Sequence, residues 1–158
     1  MQDLRFIEGN LTDENVVALL QAHLRGMAEI TPPEFIFALS IDDLKAADVR
    51  FWSAWHGAHL VGCGALRRMA GASGEIKSMR TATPYLRRGV GQAMLQYILA
   101  AAMAEGLSQV YLETGSQAGF GAARQLYEAN GFVYCGAFGD YEANPTSVFM
   151  VKDLGPQA

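Results

Sequence analysis

The stretch that decides the fold is Thr83-Pro-Tyr-Leu-Arg-Arg-Gly-Val-Gly-Gln92. It follows Glu75–Thr81, which has the residue types of a strand, and it opens an amphipathic helix that Gly106 ends. Glycines between a strand and a helix leave backbone N–H groups uncovered, and a helix start carries a partial positive charge. The stretch therefore predicts an anion site suited to a pyrophosphate, although a plain strand–helix turn with solvated arginines fits the same short motif.

Around this stretch, apolar periodicity divides the chain into short strands and helices. Thr12 and Asp13 are good N-caps for the first helix, and Thr31-Pro-Pro33 breaks the chain after it. The other segments are predicted as strands at Leu4–Glu8, Arg50–Trp55, Leu60–Arg67, Val110–Glu113, Phe132–Cys135 and Val148–Lys152, and as helices at Glu34–Leu44 and Ala122–Ala129. The order β-αα-βββ-α-β-α-ββ indicates an α/β fold of the α+β type with a mixed sheet.

Composition narrows the class of protein. The chain has 158 residues, which predicts one domain over residues 1–158, and its net charge of −4 argues against nucleic-acid binding. Two cysteines form no disulfide framework, and no His/Cys cluster has the spacing of a metal site. The longest apolar run, Ile98–Ala104, is far short of the ~18 residues of a membrane span, and Met1–Arg5 lacks an apolar signal core. We therefore expect a cytoplasmic protein with no membrane partner.

A dinucleotide-binding fold is the main rival explanation of the glycines. Glu113 ends a strand about where an acid that binds ribose should fall. However, Met94 occupies the position of the third glycine, and seven residues separate Thr81 from Gly89. These departures make a nicotinamide-dependent dehydrogenase the less favoured reading.

Three further segments carry motifs that occur together in one known family. They are Glu75-Ile-Lys-Ser-Met-Arg-Thr81, Leu86-Arg-Arg-Gly-Val-Gly91 and Ala123-Arg-Gln-Leu-Tyr-Glu-Ala-Asn-Gly-Phe132. In this order they resemble the GNAT superfamily of N-acetyltransferases. The first two are similar to the family's acetyl-CoA motif, and the third to its A-x-x-L-Y-x-x-x-G-F segment. The chain departs from the pattern at Leu86, where Gln or Arg is usual, and at Phe120, where many members carry Asn.

The resemblance implies acetyl-CoA as co-substrate, with no metal, in a central, mostly antiparallel sheet that is splayed to hold it. The phosphates would meet the N–H groups from Arg88 to Gln92, and pantetheine would pair with the backbone near Met79 and Thr81. Amide donors near Met79 and Arg80 would polarise the thioester carbonyl. The expected cofactor contacts are Met79, Arg80, Thr81, Arg87, Arg88, Gly89, Val90, Gly91, Gln92, Arg124 and Tyr127.

The resemblance also implies the groups that move protons. Tyr127 matches the family's tyrosine that faces the CoA sulfur, and a phenol stays protonated at neutral pH, so it is the expected general acid. Glu75 matches a strand glutamate that some members use as general base. Glu113 is the competing base, and an ordered water chain is the third alternative. Without the motif, Tyr127 would be read as a core residue and Glu75 as a solvated charge.

The acceptor site is expected in Leu24–Leu44 and Phe138–Ser147, which correspond to the segments that shape it in this superfamily. We infer a partly apolar pocket with negative charge for a small primary amine, with a peptide amine as the alternative. The expected acceptor contacts are Glu29, Phe35, Glu113 and Tyr141. His23 is interpreted as a packed or surface histidine. The sequence leaves open a homodimer and a non-catalytic module that binds acyl-CoA on the same scaffold.

Overall fold

The structure is a computed structural model that describes residues 3–155. The first two and last three positions of the predicted 1–158 domain lie outside the described residues, so that boundary stays a prediction. Apart from the second predicted helix, the helices and strands follow the order inferred from periodicity. They are β1 (Arg5–Glu8), α1 (Glu14–Ile30), β2 (Val49–His56), β3 (His59–Met69), β4 (Ser73–Thr81), α2 (Val90–Ala104), β5 (Gln109–Gly115), α3 (Gly121–Ala129), β6 (Val133–Cys135) and β7 (Ser147–Asp153).

The strands form one sheet in the order β1-β2-β3-β4-β5-β7-β6. Every neighbouring pair is antiparallel except β4 and β5, which run parallel. Their pairing ends at Ile76 and Leu112, so the remainder of β4 has no partner on its β5 side. This confirms the predicted mixed α/β fold with a mostly antiparallel, splayed sheet, and it leaves an opening between two central strands.

The prediction of a helix over Glu34–Leu44 is wrong. That segment holds two 3₁₀ turns, Pro33–Phe35 and Asp43–Lys45, joined by an extended stretch. Ser40 and Asp43 bond to each other's backbone N–H groups at 3.1 Å, a capping box that starts the second 3₁₀ turn only at this point. The Phe37 carbonyl accepts a hydrogen bond from the Lys77 ammonium at 2.9 Å instead of one from a helical N–H. Tertiary contacts therefore override the helical spacing.

Apolar residues pack on both faces of the sheet. One face carries α1, which begins at the predicted cap: the Asp13 carboxylate accepts hydrogen bonds from the N–H groups of Asn15 and Val16. The other face carries α2, the predicted amphipathic helix, whose buried residues are Val90, Met94, Leu95, Ile98, Leu99 and Ala102. The opening between β4 and β5 thus lies within a sheet that is covered on both sides.

Candidate active site

A β-bulge in β4 shapes the edge of the opening. Lys77 pairs with Ala65 and Arg80 pairs with Cys63, so β4 carries one residue more than β3 between these pairs. Ser78 adopts a left-handed φ of 56° there, and its carbonyl accepts a hydrogen bond from the Cys63 thiol at 3.3 Å. A bulge leaves its extra residue out of the ladder. The bulge therefore interrupts the regular β3–β4 ladder at the edge of the opening.

The start of α2 forms the second part of the site. Gly89 is its N-cap with a φ of 85°, and no side chain caps the helix. The N–H groups of Val90, Gly91 and Gln92 come before the first helical hydrogen bond, in which Ala93 donates to the Gly89 carbonyl at 3.0 Å. A Cβ on Gly91 would lie 3.3 Å from Leu126, so a larger residue would crowd α3. These unpaired donors fit the diphosphate of a CoA thioester.

A cavity of about 110 Å³ lies at the opening, between α1, β4, β5 and α3. Tyr127 forms one wall, with only 7% of its surface exposed. Burial, reinforced by the charge of Glu113, raises the pKa of the Tyr127 phenol above its ordinary value. The phenol is therefore protonated throughout the physiological pH range.

Glu113 also lines the cavity, and its carboxylate accepts a hydrogen bond from the Ser147 hydroxyl at 2.7 Å. Burial raises the pKa of Glu113, while the bond from Ser147 and the charge of Lys77 act in the opposite direction. A carboxyl group with a raised pKa at a cavity wall is suited to accept a proton near neutral pH.

Glu75 lies at the centre of a buried polar cluster. Its side chain is inaccessible to solvent, so the alternative interpretation of Glu75 as a solvated charge is wrong. It pairs with Arg67 at 2.6 Å and Lys77 at 3.4 Å, and it accepts a hydrogen bond from the Tyr141 hydroxyl at 2.5 Å. Lys77 also donates to Tyr141 at 2.8 Å. Both Glu75 oxygens are therefore engaged, and its side chain does not line the cavity.

Comparison with known proteins places the chain in a family. The sequence pattern of the Acetyltransferase (GNAT) family matches residues 13–132, about three quarters of the chain. The chain belongs to the GNAT acetyltransferase family. It is accordingly an acyltransferase, and the resemblance inferred from the three segments is confirmed.

The chain is also similar to individual proteins of this family. The chain is 48% identical over 145 residues to the uncharacterized N-acetyltransferase YsnE of Bacillus subtilis, covering 92% of this chain and 96% of that one. It is 37% identical over 142 residues to the IAA acetyltransferase of Azospirillum brasilense, covering 88% and 90%. A Bacillus subtilis acetyltransferase solved in complex with CoA shares the fold, with a TM-score of 0.72 and 18% identity over 96% of this chain and 99% of that one.

Some of the residues expected to contact the cofactor lie along the opening, and others have partners within the protein. Near the opening lie Met79, on the cavity wall, and Thr81, whose hydroxyl would lie 3.7 Å from a Cβ on Gly91. Arg87 and Arg88 are exposed, and the Arg88 guanidinium lies over the Tyr85 ring at 5.8 Å. The structure thus brings backbone and side-chain groups together along one edge of the opening.

Two further side chains of that set have protein partners. The Gln92 amide exchanges hydrogen bonds of 3.0 and 2.7 Å with the Asn130 amide, which joins α2 to the end of α3. Arg124 donates to the Gly115 and Gln117 carbonyls at 2.7 and 2.8 Å. Arg124 therefore holds the loop between β5 and α3, and a contact from it to the cofactor remains a prediction.

Two of the four residues expected to bind the acceptor lie at the cavity, and two do not. Glu113 lines the cavity, and Tyr141 reaches its edge through Lys77. Glu29 is exposed on the last turn of α1, and Phe35 is half-buried in the first 3₁₀ turn; neither lines the cavity. The wall that they were expected to supply comes instead from His23, Met27, Phe37 and Phe120.

Sequence reasoning missed two polar groups, Lys77 and His23, which both line the cavity. Lys77 carried a signal, because it follows Glu75 by two residues in a strand and so shares its face. His23 carried none beyond its position on α1. In residues 3–155 no cluster of His, Cys, Asp and Glu could hold a metal ion, and no helix there is long and apolar enough to cross a membrane.

Proposed function

We propose that this GNAT protein transfers an acetyl group from acetyl-CoA to the primary amine of a small molecule. The observation that carries the proposal is the placement of the Tyr127 phenol and the Glu113 carboxyl group on one cavity, at the opening between β4 and β5. The complex of a related fold with CoA supports the choice of co-substrate. A cytoplasmic setting belongs to the same proposal, and a homodimer stays a prediction.

Backbone groups hold the co-substrate in this proposal. The free N–H groups at the start of α2 bind the diphosphate, with Arg87 and Arg88 beside them. The bulge at Ser78 offers backbone donors to the acyl oxygen. Acetyl-CoA supplies an activated thioester, which an unprotonated amine attacks directly.

The protein supplies a proton acceptor and a proton donor. Glu113 is the better candidate for the base, because it faces the cavity and its pKa is raised. Glu75 is a poorer candidate, because Arg67, Lys77 and Tyr141 occupy its oxygens. Tyr127 keeps its proton and donates it to the departing sulfur. This assignment of the base favours the alternative carboxylate of the sequence analysis.

The test is release of CoA thiol, followed with a chromogenic disulfide, over a panel of primary amines with wild-type protein and Tyr127→Phe. We expect the variant to keep its affinity for acetyl-CoA, measured by calorimetry, while turnover falls about 100-fold, as for loss of a general acid. Tyr134→Phe is the matched control, because Tyr134 is 52% exposed on β6. Tight acetyl-CoA binding without thiol release for any amine would favour the non-catalytic acyl-CoA module instead.

A further inference from the structure

The Arg80 guanidinium is lodged between β4 and α1 without an anionic partner. Its side chain is half-buried, and a Cβ built on Gly26 would lie 3.1 Å from its Nη1 atom. Across the described residues 3–155, this guanidinium makes neither a hydrogen bond nor an ion pair. Glycine is unfavourable inside a helix, so the approach of Arg80 gives Gly26 a packing role. The fold accommodates this cation without neutralising it.

His23 lies one turn before Gly26 on the same face of α1, beside Arg80. It lines the cavity, and its Nδ1 atom is buried with no hydrogen-bond partner in the part of the chain described. Burial, together with the charges of Arg80 and Lys77, lowers the pKa of His23 to about 4. The ring is therefore neutral at physiological pH and can accept a hydrogen bond. His23 therefore lines this cavity, whereas Arg80, beside it, lines a second cavity of about 460 Å³ between α1 and residues 80–85.

The charges on this face of the sheet are unbalanced. Arg67 and Lys77 share the single carboxylate of Glu75, and Arg80 is a third cation close by. Glu113, on the cavity wall near Lys77, is the second carboxylate, so three cations face two carboxylates. Lys77 has three hydrogen-bond partners already, on Glu75, Phe37 and Tyr141. Arg80 is therefore the cation with donors available for an anion that enters with the substrate.

We propose that the amine acceptor also carries a carboxylate, as an amino acid does, and that Arg80 binds that carboxylate beside His23. This inference rests on the proposed acetyl transfer. A guanidinium and a carboxylate form two parallel, charge-assisted hydrogen bonds, and this bidentate pair orients a small substrate as well as holding it. The neutral Nδ1 of His23 accepts a hydrogen bond from the acceptor. On this proposal the acceptor pocket is positively charged on its α1 side, while Glu113 supplies the negative charge that the sequence analysis expected.

The position of Arg80 separates this role from binding of the CoA phosphates. Its side chain lies against α1, whereas the N–H groups proposed for the diphosphate belong to α2 on the opposite face of the sheet. Cofactor contacts were predicted for Arg80 through its backbone amide, which is compatible with a carboxylate at its side chain. A variant that changes only the side chain therefore tests the acceptor separately.

The experiment compares amino acids with the amines that remain when the carboxylate is removed. The pairs are L-leucine with 3-methylbutylamine, L-phenylalanine with 2-phenylethylamine, and L-methionine with 3-(methylthio)propylamine. We expect wild-type protein to acetylate the acid of at least one pair with a kcat/KM at least about tenfold above that of its amine. In Arg80→Gln this ratio should fall to near one. Arg25→Gln, an exposed arginine on α1, is the matched control and should keep the ratio.

Several results would overturn the inference. A wild-type ratio of acid to amine below about tenfold in every pair, an unchanged ratio in Arg80→Gln, or an Arg80→Gln defect confined to acetyl-CoA affinity would each do so while leaving the acetyl transfer intact. If neither these six compounds nor any amine of the panel releases CoA thiol, the proposed function fails. Calorimetric titration of the same six compounds into CoA-loaded protein then decides the carboxylate inference. Tighter binding of the acids that is lost in Arg80→Gln supports it, and equal binding of acid and amine refutes it.

Discussion

Burial of His23 predicts that the protein loses stability as the pH falls below 7. The unfolded chain takes up a proton on this ring near its ordinary pKa of 6.5, whereas the folded protein resists protonation down to about 4. The folded pKa is the lower one, so the unfolded state binds more protons between these values and stability decreases as the pH decreases. The decrease ends below about pH 4, where both states are protonated.

The size of the effect follows from the two pKa values. At about 1.4 kcal/mol for each pKa unit, the interval from 6.5 to about 4 corresponds to about 3 kcal/mol in full. By pH 5 only part of that interval has been crossed. We therefore expect the His23 ring to reduce the free energy of unfolding by about 2 kcal/mol between pH 7.5 and pH 5.

Urea unfolding followed by tryptophan fluorescence measures this change. Trp52 and Trp55 are 1% and 7% exposed, so both report the loss of the core. His23→Gln should remove about 2 kcal/mol of the pH dependence, and His59→Gln, at an exposed position, should leave it intact. An equal pH slope in wild-type protein and His23→Gln would refute the placement of His23 in a dry, cationic site.

Three other perturbations test the rest of the site. Lys77→Met should destabilise the protein by about 3 kcal/mol in the same urea assay, because it breaks a buried ion pair, and adding Glu75→Gln should recover part of that loss. Gly89→Val should weaken acetyl-CoA binding at least about tenfold in calorimetry, because a β-branched residue disfavours the left-handed N-cap of α2; Gly57→Val introduces the same strain in the β2–β3 turn and should not weaken binding. The raised pKa of Glu113 means that the folded state binds its proton more tightly, so wild-type protein should gain stability from this group as the pH falls toward 4.5, and Glu113→Gln should abolish that gain.

The parts of the fold that the sequence predicted are those that depend on local patterns. Strands, the amphipathic helix α2 and the glycine turn before it follow from residues within about ten positions of one another. The segment Glu34–Leu44 was mispredicted because the Lys77 ammonium, forty residues away, takes the carbonyl of Phe37. The sequence around Lys77 gives no indication that its ammonium binds a carbonyl group in a distant loop.

The candidate site, like the fold, was predictable only where it depends on local sequence. The backbone cradle at Gly89 depends on local spacing and could be inferred from the glycines alone. The environment of Glu75 depends on the β3–β4 register, which sets Arg67 opposite it, and on a loop that brings Tyr141 to it. Neither the register nor the loop path is fixed by local periodicity. The role of Glu75 as a buried counter-ion was therefore beyond the sequence analysis.

The bulge at Ser78 explains why the missed residues matter together. In a regular strand, residues three apart point to opposite faces. Because β4 carries one extra residue between Lys77 and Arg80, both cations lie on the α1 face, while Ile76 and Met79 pack in the core on the α2 face. The same irregularity that is proposed to supply backbone donors for an acyl oxygen thus places Arg80 beside His23. One local departure from strand geometry accordingly links the two substrates of the proposed reaction, with the thioester along one side of β4 and a carboxylate-bearing amine on the other.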